Sequence, residues 1–173
     1  RCSRDWSSDV CSSDLIPVPV AAAARFVVLL EDIQDPGNLG ALLRTAAAAG
    51  VEQAYLSTAC ADAWSPKCLR GGQGAHFRLA IQERADLPEV ARGFPGVIHA
   101  AVLGAEASLF DLELRGATGF AFGNEGAGLS EALRERASPF SIPMSDRVES
   151  LNVAAAAAIC LFERVRQQSC SPA

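Results

Sequence analysis

Five polar side chains in this sequence could form hydrogen bonds and balance charge in a shared site: Asn38, Arg44, Glu125, Ser150 and Asn152. Each lies in a turn that follows an apolar run or in the first two turns of the helix after it. The run Phe26–Leu30 stops at the acidic pair Glu31-Asp32, and Pro36-Gly37-Asn38 then starts an Ala/Leu-rich stretch of helical period that carries Arg44. The order predicts strand, tight loop, helix. It puts polar groups at the carboxyl end of a strand, where open α/β sheets keep their sites. Asn38 and Arg44 are six positions apart, roughly 600° of helical turn, so they need not share a face. The loop must bend Asn38 toward Arg44 if the two are to act together.

The second segment runs from Phe120 to Ser130, a strand-like stretch entering a loop with Gly123, Gly126 and Gly128. Glycines let a ligand come close to main-chain N–H and C=O groups. Glu125 falls at the strand's carboxyl end, and an ordinary loop with an exposed glutamate fits as well. The order G-x-x-G-x-G is neither the dinucleotide fingerprint nor a P-loop. The third segment is Ile142 to Val153, in which Pro143 is expected to end a strand. Ser150 is placed to cap the last helix. Asn152, one step inside, has poor helix propensity and needs another reason to be there. Lys67, Arg70 and the Gly71-Gly72-Gln73-Gly74 stretch could receive a phosphate, or be a flexible surface loop.

The bulk composition bounds these readings. A chain of 173 residues, half hydrophobic and a fifth charged, fits one domain with a sizeable core. No apolar run approaches the roughly 20 residues of a membrane span. The net charge of −5 weighs mildly against a nucleic-acid binder. Lys67, Arg70, Arg78 and Arg84 nevertheless cluster against only Glu83, and a local basic patch can bind phosphate under an acidic total. Six cysteines form no C-x-x-C pair and the two histidines lack partners at ligand spacing, so no metal is expected. Reduced thiols suit a cytoplasmic protein. Residues 1–14 are Ser/Asp/Cys-rich without periodicity and read as foreign to the fold, leaving 15–173 as the domain.

Strand-like runs fall at Phe26–Leu30, Gln53–Leu56, Phe77–Ile81, Gly96–Leu103, Gly119–Phe122 and Phe140–Ile142. Helical patterns fall at Leu39–Ala49, Trp64–Leu69, Leu87–Arg92, Ser130–Arg136 and Leu151–Gln167. Their alternation predicts an α/β fold with a mostly parallel sheet and flanking helices.

The three polar segments, in this order and spacing, resemble the SpoU/TrmH-type RNA ribose methyltransferases of the SPOUT superfamily. The resemblance rests on Asp35-Pro36-Gly37-Asn38-Leu39-Gly40 with Arg44, on Gly123-Asn124-Glu125-Gly126 with Gly128-Leu129-Ser130, and on Ile142-Pro143-Met144 with Glu149-Ser150-Leu151-Asn152-Val153. It covers roughly Phe26 to Arg166. It implies a C-terminal deep trefoil knot, which runs against the general rarity of knots. It also implies a homodimer and methyl transfer from S-adenosyl-L-methionine to a ribose 2′-hydroxyl of rRNA or tRNA. Many members carry an N-terminal RNA-binding extension, and here it is expected to be absent or replaced by residues 1–14.

By the same resemblance Gly123, Ile142 and Leu151 line the cofactor pocket, with Gly104 and Met144 nearby. Arg44 serves the nucleophile, either as base or by holding a phosphate or a forming alkoxide. Asn38 orients Arg44 or the ribose, Glu125 holds Arg44 or Asn38 in place, and Ser150 and Asn152 fix the loop and meet the RNA or the methionine end. Lys67 and Arg70 are the candidate RNA contacts. The alternative is a knotted RNA-binding module without catalysis, against which the intact polar set argues.

Overall fold

The computed structural model describes residues 24–145 and 147–169. The assignment of residues 1–14 lies outside the described residues, as do Cys2, Cys11 and Cys170. The elements in chain order are β1 (Phe26–Leu30), α1 (Pro36–Ala48), β2 (Gln53–Leu56), α2 (Pro66–Gly72), β3 (Ala80–Gln82), α3 (Leu87–Gly93), β4 (Val97–Ala101), β5 (Thr118–Phe122), α4 (Glu131–Arg134), β6 (Ser138–Phe140) and α5 (Val153–Ser169).

Six strands form one sheet in the order β3-β2-β1-β5-β4-β6. Every pairing is parallel. All five residues of β1 are buried, as expected of a strand covered on both faces. Alternation along it feeds two cores. Phe26, Val28 and Leu30 join Leu39, Leu42 and Leu43 of α1 and Ala157, Cys160 and Leu161 of α5. Val27 and Leu29 join Leu87 and Ala91 of α3 and Leu133 of α4. Burying each such leucine contributes about 1.5–3 kcal/mol. The sheet is therefore pinned from both sides, and the loops at the carboxyl ends of β1, β4, β5 and β6 start from fixed points.

The structure moves several expected boundaries. The run Phe77–Ile81 splits into a 3-10 turn at Ala75–Phe77 and strand β3. The turn is held by His76, which is buried and whose Nε2 lies 2.7 Å from Ala63 O. The edge strand β6 ends at Phe140, before Pro143. Ser141 leaves the ladder because its N–H donates to Ala107 O at 2.8 Å. Pro139 is tolerated because β6 is an edge strand. Helix α4 shrinks to Glu131–Arg134. Helix α5 starts at Val153, two residues later than expected.

Candidate functional site

Helix α1 owes its start to Asp35. The carboxylate Oδ1 accepts from Asn38 N at 2.8 Å, and Pro36 occupies the first helical position, where a missing N–H costs nothing. Oδ2 of the same carboxylate takes Lys67 Nζ at 2.8 Å. The hydrogen bond from Lys67 is the main reason the Asp35 carboxyl titrates below its ordinary value. Lys67 is thus engaged in holding a helix cap. Arg70, one turn further along α2, is exposed.

Asn38 is half-buried and its amide is used at both ends. Nδ2 donates to Glu125 Oε1, and Oδ1 accepts from Asn152 Nδ2 at 3.1 Å. Asn152 Oδ1 in turn accepts from Ala154 N at 2.9 Å and Ala155 N at 3.3 Å. Backbone N–H groups only donate and an ionised carboxylate only accepts, so the amide orientations are fixed by the two ends of the chain. Every donor points from the α5 N-terminus toward Glu125, along the favourable direction of the helix dipole. Asn152 is therefore the N-cap of α5. Ser150, expected in that role, is exposed in the preceding loop.

The glycine loop after β5 closes on itself. Asn124 N donates to Gly128 O at 3.1 Å and Gly128 N to Asn124 O at 2.9 Å. The Asn124 side chain fastens the loop: Oδ1 accepts from Gly126 N at 2.8 Å and Ala127 N at 3.0 Å, while Nδ2 donates to Asp32 O at 3.0 Å. At the far end Glu31 grips Ser130 with both oxygens, one on the N–H and one on the hydroxyl, each at 2.7 Å. A Cβ at Gly123 would sit 2.3 Å from Gly128 C and O. Glycine at 123 is thus required by a close backbone approach inside the loop.

Beside this loop lies a cavity of about 370 Å³ at the carboxyl ends of β4, β5 and β6. Gly123, Ile142, Met144 and Leu151 are on its wall, together with Glu125 and Ser150. The rest of the lining is largely apolar, from Val102, Leu103, Phe122, Phe140, Val153 and Ala156. Gly104 is not on the wall; it makes a left-handed turn (φ 73°) just past Leu103.

Arg44 is the expected residue that this arrangement leaves apart. It lies about 9 Å along α1 from Asn38 and roughly 120° around the axis from it. It is exposed, and its side chain has no hydrogen bond or ion pair among the described residues.

Gly71 and Gly72 are part of α2, and Gly71 lies against α1. A Cβ on Gly40 would meet Cys68 O at 2.5 Å and Gly71 Cα at 3.0 Å. Sequence reading assigned no role to Glu31, Asp35 or Asn124. Asp35-Pro36 carried the signal of an N-cap followed by proline, whereas Glu31 becomes visible only once Ser130 is beside it. Both histidines are interior, with burial lowering their pKa values. Cys60, Cys68 and Cys160 are free thiols, and burial pushes Cys68 and Cys160 up to about 12. Among the described residues no three His, Cys, Asp or Glu side chains group to hold a metal, and no helix is long and apolar enough to cross a membrane.

The SpoU rRNA Methylase family profile matches residues 25–162. The chain belongs to this family. An uncharacterized tRNA/rRNA methyltransferase of Synechocystis is 42% identical over 149 residues, covering 84% of this chain and 54% of that protein. The 23S rRNA (guanosine(2553)-2′-O)-methyltransferase RlmP of Bacillus subtilis is 38% identical over 151 residues, covering 85% of this chain and 60% of that protein. The crystal structure of the SpoU methyltransferase AviRb of Streptomyces viridochromogenes in complex with AdoMet superposes with a TM-score of 0.78 at 32% identity, covering 88% of this chain and 64% of that one. This SpoU chain therefore spans little more than half the length of the curated relatives it matches.

Proposed function

We propose that the chain is an RNA 2′-O-ribose methyltransferase that uses S-adenosyl-L-methionine to modify rRNA or tRNA. The observation that carries this reading is the run of amides from α5 through Asn152 and Asn38 to Glu125, which ends on the wall of the glycine-loop cavity. A cavity of about 370 Å³ is at the lower end of the range for small-molecule sites, and its lining suits an adenine-bearing ligand. The AdoMet-bound AviRb relative supports the same ligand. Gly123, Ile142, Met144 and Leu151 would hold it. Bound there, the ligand supplies a methyl group on a positively charged sulfur.

The chain's own residues do the rest. The apolar part of the wall, away from Glu125, would face the sulfonium and leave its charge uncompensated, which favours a transition state in which that charge disperses. Asn38, held at both amide ends by Glu125 and Asn152, would orient the ribose. Glu125 keeps Asn38 from rotating. The Arg44 guanidinium stays protonated, so its role is to hold the neighbouring phosphate or the forming alkoxide. Ser150 fixes the cavity loop. Arg70 meets the RNA backbone.

Arg44 stands away from the amide chain in a single copy, which supports a homodimer in which the partner copy supplies it. Ile159 and Phe162 are exposed on α5, the helix packed against α1, and are the apolar surface such a dimer would cover. The return of the chain from the edge strand β6 to α5 supports a knotted C-terminal third. The free thiols agree with a cytoplasmic setting.

Incubation with methyl-labelled S-adenosylmethionine and rRNA or tRNA tests the activity. Label should reach the RNA and leave an alkali-resistant linkage at the modified nucleotide, because a 2′-O-methyl removes the hydroxyl that alkaline cleavage needs. Label on a base would overturn the ribose assignment. RNA binding without label would favour a binding module. An Arg44→Ala chain mixed with an Asn38→Ala chain should regain activity that neither has alone; no recovery in mixed dimers would overturn the shared site.

A further inference from the structure

We infer that Arg134 holds the carboxylate of the methyl donor's amino-acid tail, an inference that rests on the donor-site reading above. Arg134 ends α4 and lies on the cavity wall. Among the described lining residues it is the only cationic side chain, and Glu125 is the only anionic one. Glu125 is already taken by Asn38. Arg134 is exposed and makes no ion pair among the described residues, although Glu131 precedes it by three positions and Glu135 follows it.

The backbone that carries Arg134 is anchored. Leu133, its neighbour, is fully buried in the core on the α3 side of the sheet. Ser130 caps α4 by accepting from Leu133 N, and Glu31 grips Ser130 in turn. Arg134 thus enters from the sheet face opposite to α1 and α5, whose side carries Asn38 and Asn152. The cavity wall thus carries Glu125, where the amide chain ends, and one guanidinium, Arg134.

S-adenosylmethionine at neutral pH carries a sulfonium, an ammonium and one carboxylate. Its single anion pairs with the wall's single cation. The guanidinium fork matches a carboxylate bidentately, which a lysine could not reproduce. Arg134 is a ligand-positioning residue: it would fix the tail and so fix how the methyl group is aimed toward the amide end.

The test is calorimetry of the full chain with S-adenosylmethionine and with its decarboxylated analogue, which lacks only the carboxylate. Arg134→Met should weaken the first by about ten- to a hundredfold and leave the second unchanged. Arg134→Lys should recover part of the loss. An equal loss for both ligands, or no loss for either, would overturn the assignment. So would a loss confined to RNA affinity, which would make Arg134 a phosphate contact. Melting curves check that each variant is folded, as expected for an exposed side chain. If the unaltered chain binds neither ligand, the donor-site reading itself fails.

Discussion

Two glycine-rich segments look alike in this sequence and do different work. In α2, Gly71 lets one helix backbone lie on another, the space of its side chain being occupied by Gly40 and Gly37 of α1, while the space at Gly72 is occupied by the His76 ring. In the loop after β5, Gly123 lies against Gly128, the loop folds on itself, and a cavity is left beside it. The first segment is packing. The second is a wall. A glycine run reports only that Cβ atoms are absent; whether backbone or a ligand fills the vacated volume depends on what is packed opposite.

That contrast can be tested by separating turnover, binding and stability. The largest effect is expected at Arg44, exposed on α1 and off the cavity wall. Arg44→Ala should lower turnover by about a hundred- to a thousandfold, the cost of removing one transition-state donor. Calorimetry should show the affinity for S-adenosylhomocysteine unchanged, and a lost affinity would put Arg44 in the wrong region. Gly123→Val should do the reverse of a clean turnover mutant. Its side chain collides with the Gly128 backbone, so the loop must open, S-adenosylhomocysteine should no longer bind, and the melting temperature should fall.

Gly40→Ala sharpens the comparison. A methyl forced between α1 and α2 should cost about 1–3 kcal/mol in urea denaturation, the usual range for overpacking. The cavity wall contains no α1 residue, so product affinity should persist. Loss of binding here would mean that the two regions are one.

Asn152 separates its two bonds. Asn152→Ala removes the α5 cap and should cost about 1 kcal/mol as well as activity. Asn152→Asp keeps a capping oxygen but loses the N–H that reaches Asn38. It should therefore retain the melting temperature and still lose turnover.

The smallest effect is expected at the exposed Lys67–Asp35 pair. The Asp35 carboxyl is held low in the folded chain, chiefly by its hydrogen bond from Lys67. Its contribution is therefore present above the unfolded value, about pH 4, and is lost progressively as pH falls below that toward the lower folded value. Lys67→Met should lower the melting temperature slightly at neutral pH and leave it unchanged in acid, flattening the curve between the two. A strong loss of RNA affinity instead would return Lys67 to the substrate surface.

The parallel α/β class was legible because β1 is an unbroken apolar run and α1 and α5 are long and periodic. Short elements were less so. β3 and β6 have three residues each, and their limits are set by His76 reaching Ala63 and by Ser141 reaching Ala107. Of the candidate site residues, Asn38, Glu125 and Asn152 form one hydrogen-bonded chain, and Gly123, Ile142, Met144, Leu151 and Ser150 share one cavity. Gly104 lies off its wall and Arg44 stands apart. Lys67 was legible as a cation, but its partner Asp35 lies 32 positions away, and charge alone could not name it.

By itself the sequence determined the local propensities: which runs extend, which coil, where proline and glycine interrupt, and which polar side chains stand at the junctions. These depend on neighbours within a few positions, and the chain carries that information directly. Tertiary structure alone decided which junctions meet. Asn38 is 87 positions from Glu125 and 114 from Asn152, and Glu31 is 99 from Ser130. Their contacts exist because two hydrophobic cores clamp a parallel sheet whose strand order places β1 beside β5. An amide becomes part of a site only when that order fixes both of its partners.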